Sequence, residues 1–184
     1  MSDSLHDRGQ AIEDVFFTAR DQELIQKLKQ ELAASEVREA MATASGVNDE
    51  AVLDRLIECG ISPASMASVA LIPLVAVAWA DNKMEANEKD AILKAASLAG
   101  VVENSASYQA ISAWLDSRPD ASLTDAWKDY MGALKESLDP PAFNQLKALI
   151  IRRAENVAES AGGFLGLGNK VSESERKTID ELAS

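Results

Sequence analysis

Three carboxylates, Asp81, Glu85 and Glu88, lie within one helical turn and a loop of one another in the segment LIPLVAVAWADNKMEANEKDAIL, residues 71–93. Lys83 is the one base among them, so the like charges repel and a bound cation would relieve them. The chemistry available is therefore weak binding of a divalent cation, calcium, zinc or magnesium, by oxygen ligands. A structural reading stands beside it at equal weight: Glu85 in the N-cap position and Glu88 three residues on can serve only to satisfy the first amides of a helix.

A second stretch carries the same pattern. Asn169-Lys170-Val171-Ser172-Glu173-Ser174-Glu175-Arg176 aligns under Asn82-Lys83-Met84-Glu85-Ala86-Asn87-Glu88-Lys89 at an offset of 169 − 82 = 87, and Ile179 then falls under Ile92. Such self-similarity points to an internal duplication of a helical hairpin with an acidic elbow. In the second copy Ser172 and Glu175 form a capping box: the hydroxyl accepts from the Glu175 amide while the Glu175 side chain reaches back. Glu88 inherits the same role by position, and Glu175 joins Asp81, Glu85 and Glu88 as a candidate metal ligand.

Other chemistries find little support. Asp81-x-x-Met84-x-x-x-Glu88 has the spacing of the second half of a calcium loop. The first half fails, with Val77 and Trp79 where ligands belong and Asn82 where the glycine does, so an EF-hand is excluded. His6, the one histidine, lies in a polar tail, and no catalytic residue is assigned. Cys59 beside Leu56 and Ile57 reads as a packed thiol, and one cysteine precludes an intramolecular disulfide. GGFLGLG lacks the lysine and hydroxyl of a phosphate loop. A metal-dependent hydrolase would need further acids, such as Glu155 or Glu159, to face Asp81 across the fold.

The formal net charge of −12 opposes contact with a phosphate backbone, so no nucleic-acid partner is expected. The first ten residues contain no apolar signal core, which leads to a cytoplasmic expectation. The apolar run from Ala67 to Ala80 is shorter than the roughly 20 residues a membrane span requires, and it contains Pro73.

Positioning the acidic elbow requires helices. Apolar residues recur at three- and four-residue steps from Gln10 to Ala33 and on through Met41 to a stop at Gly46. Asn48 or Asp49 caps the next helix, and Gly60 ends it. Ser62-Pro63 opens a segment apolar nearly all round, expected to be one central helix to Ala80 kinked at Pro73. Further helices follow from Glu85, from Ser105 or Ser107, from Ser122 and from Asp139-Pro140-Pro141. Trp79, Trp114 and Trp127 read as core, and Leu138 and Leu149 fall in the apolar patterns of their helices. With no period-two stretch of strand length, the expected fold is all-α: a compact bundle of about seven to nine helices with a pseudo-two-fold helical-hairpin repeat. Residues 1–61 are read as an N-terminal helical segment packing on a core domain formed by 62–184.

Ala161 to Gly168 inserts four glycines with Phe164, Leu165 and Leu167 before the second elbow. Those side chains either fold back onto the body or stand out as a surface for a protein partner or a peripheral membrane contact.

With these elbows placed, the chain resembles the TerB family, named for tellurite resistance. Val77-Ala78-Trp79-Ala80-Asp81-Asn82-Lys83-Met84 followed by Glu88 is similar to the family's A-x-A-D-G-x-[IV]-x-x-x-E signature. The Gly162 to Glu175 segment is similar to the glycine-rich ending of bacterial TerB-like proteins. The likeness covers roughly residues 62–184. It implies a helical domain with pseudo-two-fold halves, an acidic surface binding divalent metal through Asp81, Glu88 and Glu175, and a role in stress-response assemblies rather than catalysis. The chain departs from the pattern at Asn82, where the family has glycine, and at Gly168, where the second copy lacks its acidic residue. The leading expectation is a non-enzymatic TerB-like module with a weak metal site. The alternative is an interaction module working through residues 162–168.

Overall fold

The computed structural model describes residue 24, residues 26–161 and residues 171–183. Among them all regular structure is helical and none is strand, as the absence of period-two alternation requires. No single described helix is long and apolar enough to cross a membrane.

The chain divides into two compact units, Met1–Glu39 and Ala40–Ser184. In the first, residues 26–39 are helical, with Lys27 and Glu31 paired at 4.0 Å one turn apart, an exposed contact of a few tenths of a kcal/mol. The earlier part of the predicted amphipathic stretch, with Ile12, Val15 and Phe16, lies outside the described residues.

The second unit takes in residues 40–61 as well as 62–184, because Met41, Val47, Leu53, Leu56 and Ile61 belong to its hydrophobic core. Helix α1, Glu50–Glu58, is capped by Asp49, whose side chain accepts from the Val52 amide at 3.1 Å. It stops at Gly60, where φ is +81°, a left-handed turn that glycine adopts without a Cβ clash.

The central apolar segment is built differently from one kinked helix. Pro63–Leu71 is a 3-10 helix opened by a reciprocal serine cap: Ser62 Oγ accepts from the Ser65 amide at 3.2 Å, and Ser65 Oγ accepts from the Ser62 amide at 2.9 Å. Helix α2, Ile72–Ala78, then begins, with Pro73 in its first turn. At that position the missing N–H would have had no intrahelical partner, so the proline starts a helix instead of bending one.

Helix α2 is the hub. It packs against α3 (Ala86–Leu98), α5 (Ala121–Ser137), α6 (Pro140–Ala161) and α7 (Glu173–Ala183), and α6 also lies along α3. Its residues Leu74, Val75 and Val77 are wholly buried, as an all-round apolar helix must be. Helix α4, Ala106–Asp116, covers the 3-10 segment, and α5 covers α1. One expectation is corrected here. The cap of α5 is Asp120, which accepts from the Ser122 amide at 2.9 Å, so Ser122 lies inside the helix. Leu138 and Leu149 are 37% and 43% exposed, because each falls on the outer side of its helix end or face.

Among the four helices of the two proposed copies, α2 contacts α3, α6 and α7, and α6 contacts both α3 and α7. Matching positions share an environment: Ile92 and Ile179 are both core, and Met84 and Val171 are both half-buried against it. The duplication seen at an offset of 87 thus corresponds to four helices sharing one interior.

Candidate functional site

The first elbow joins α2 to α3 through residues 79–85. The Trp79 indole N–H donates to the Trp114 carbonyl at 2.8 Å, which ties the end of α2 to α4. The chain then reverses through Asn82, whose φ of +67° lies in the left-handed region. Asparagine tolerates this conformation better than most residues, and glycine better still. The sequence position where the TerB pattern has glycine is therefore the one that needs it. Asn82→Gly will leave stability within about 0.5 kcal/mol of the parent, while Asn82→Val will cost about 1–2 kcal/mol in a urea titration, the price of a β-branched left-handed residue.

Asp81 Oδ1 accepts from the Lys83 amide at 2.9 Å and holds the turn. Two further bases stand nearby: Lys89, next to Glu88 in the sequence, and Arg118, which only the fold brings to the elbow. Arg118 donates through Nη1 to Asn82 Oδ1, and Lys89 pairs with Asp116 at 2.5 Å. Both interactions link α3 and its elbow to the far end of α4, contacts with sequence separations of 36 and 27 residues. Lys83 is thus not the only cation near the acidic turn.

Glu85 caps α3 in an extended conformation, and its amide donates to Glu88 Oε2 at 2.8 Å. The second copy repeats the bond: the Ser172 amide donates to Glu175 Oε2 at 2.5 Å, and the Glu175 amide donates to Ser172 Oγ at 3.2 Å. The capping boxes read from the sequence are present in both copies.

What a cap does not require is burial, yet Glu88 is 3% exposed and Glu175 5%. Loss of water pushes the Glu88 carboxyl up to about 7 from an ordinary 4.5. The Glu85 amide opposes the rise, and the negative charges of Glu175, Glu85 and Asp81 add to it. Glu88 and Glu175 are therefore electrostatic neighbours inside the fold. Glu175 Oε1 is buried and has no hydrogen-bond partner, a condition that ordinarily costs free energy.

The four expected metal ligands are not gathered into one cage. Among the described residues no group of three or more histidine, cysteine, aspartate or glutamate side chains is placed to hold an ion. Asp81 and Glu85 are exposed, and one Asp81 oxygen is committed to its own turn. The interior pair is Glu88 with Glu175, one carboxylate from each copy. Glu155 and Glu159 are exposed on α6, and Cys59 is a free, half-buried thiol packed against the core. Phe164, Leu165 and Leu167, with Gly168 and His6, lie outside the described residues.

No protein family, curated protein or solved structure matches this chain at a significant level.

Proposed function

We propose that this chain is a non-enzymatic, TerB-like helical module that binds a divalent cation weakly and acts as a sensor or assembly element. The observation that carries the proposal is Glu175 Oε1, a buried carboxylate oxygen without a partner, set beside a second buried carboxylate whose proton affinity its charge raises. A cation between them would supply the missing partner and offset the repulsion at once.

The donor chemistry narrows the ion. Both carboxylates offer hard oxygen donors, and the described residues add no third histidine, cysteine, aspartate or glutamate to them. Oxygen-only donors favour calcium or magnesium over zinc, which prefers nitrogen and sulfur. With two buried ligands and only Asp81 and Glu85 at the rim, affinity belongs near the weak end of calcium sites, on the order of millimolar. An ion held there would link the first turn of α3 to the first turn of α7, and so join the two copies. The sequence resemblance supports the same reading, since it implies cation binding through Asp81, Glu88 and Glu175.

Titration with calcium, magnesium and zinc, followed by amide chemical shifts, tests the proposal. Calcium and magnesium will move the resonances of residues 85–89 and 172–176 at millimolar concentration, and the shifts will vanish in Glu175→Gln. Unperturbed amides around both glutamates would sink it.

A further inference from the structure

We infer that the groove between α5, α6 and α7 is a binding site for a small amphipathic carboxylate, an apolar chain with one anionic head. The groove encloses about 270 Å³, near the lower end of small-molecule pockets. Trp127, Met131 and Leu182, all buried, form its base together with half-buried Phe143. This floor is apolar and lies between helices, where ligand pockets of helical folds commonly occur.

The rim carries the opposite character to the rest of the chain. Lys128, Lys135 and Lys147 surround the floor, in a protein of net charge −12. None of the three forms an ion pair with a described carboxylate. The rim's acid, Glu181, is paired with Lys177 at 3.8 Å. Three lysines with apolar stems over an aromatic floor suit an apolar chain below and a carboxylate above. A second copy of this chain is a poor occupant by comparison, because two bodies of like charge repel.

Gly132 supplies an independent sign. It lies inside the 17-residue helix α5 and borders the groove, although glycine is among the least helix-favouring residues. A Cβ added there would meet no atom within 4 Å, and φ there is not in the left-handed range, so neither crowding nor backbone conformation requires glycine. Its effect is to leave the groove open. Gly132 borders this groove and a neighbouring one beside α1, so a larger side chain there would stand in the space beside the groove without disturbing the core.

Isothermal calorimetry and the Met131 methyl resonance, with decanoate below its micellar concentration as the probe, test the inference. Decanoate will bind saturably, at least about tenfold more tightly than decanol or decyltrimethylammonium. Gly132→Leu will abolish binding with its urea midpoint preserved, and Lys135→Glu with Lys147→Glu will weaken it about tenfold or more. Gly132→Ala, which adds one carbon in open space, provides a variant whose folding is assured and whose affinity will fall less. The inference is overturned if decanoate gives no saturable signal, if decanol binds as well, or if binding survives Gly132→Leu. It is equally overturned if light scattering shows a dimer that Gly132→Leu dissolves, since a second copy would then be the occupant.

Discussion

Glu88→Gln will stabilise the metal-free protein at pH 8 by up to about 3 kcal/mol and will flatten the dependence of its stability on pH. A carboxyl whose folded pKa is about 7 against an ordinary 4.5 binds its proton more tightly in the folded state. Below pH 4.5 it is protonated in both states and exacts no penalty. As pH rises from 4.5 to about 7, the unfolded chain ionises first, and stability is lost until the folded group ionises too; above 7 the loss is complete. Each tenfold difference in proton affinity is worth about 1.4 kcal/mol, which sets the upper figure. Glutamine keeps an oxygen to accept from the Glu85 amide and removes the charge that burial and Glu175 oppose. Urea unfolding of parent and variant between pH 4 and 8 measures the effect. A parent whose stability does not fall across that window contradicts the buried, mutually repelling pair.

The same pair makes metal and pH opposing influences. A cation requires ionised carboxylates, so its binding releases protons and strengthens as pH rises. Stabilisation by calcium will therefore be greatest where the metal-free protein is weakest.

Leu74→Ala will cost about 3 kcal/mol or more, whereas Leu149→Ala will stay within about 0.5 kcal/mol of the parent. Leu74 is completely buried in α2, the helix that touches four others, and truncation there removes apolar burial and leaves a cavity that rigid neighbours only partly fill. Leu149 is 43% exposed on α6 and has less burial to lose. Equal urea midpoints for the two variants would mean that α2 is not the centre of the core. The contrast matters because Leu149 lies on the apolar stripe of an amphipathic helix, whereas Leu74 lies in a segment apolar on every side. Periodicity locates the stripe, but its width and outer edge depend on which neighbouring helices exist to cover it.

Local chemistry was the part most legible from residues alone. Capping boxes close within four positions, so Ser172 with Glu175, and Glu85 with Glu88, could be read without knowing the fold. The helix starts at Ser62 and Asp139 were readable for the same reason, and that at Ser105 to within two residues, as was the centrality of a segment apolar on every side. Pro73 was legible as a proline but not as a helix start. Whether the preceding turn is α or 3-10 depends on how Pro63–Leu71 meets α4, a contact between distant parts of the chain.

The sequence by itself determined that the chain is helical, that its two acidic elbows repeat at a fixed offset, and that a glutamate sits at the third position of each helix. These follow from interactions spanning a few residues, whose energies do not need a partner from elsewhere. Tertiary structure alone decided that Glu88 and Glu175 are buried and feel one another's charge, while Asp81 and Glu85 stay in solvent. It also brought Arg118 to the first elbow and arranged lysines from two helices around an apolar groove. Burial and charge proximity arise from packing α2, α3, α6 and α7 together, and no spacing along the chain encodes the distance between carboxylates 87 residues apart.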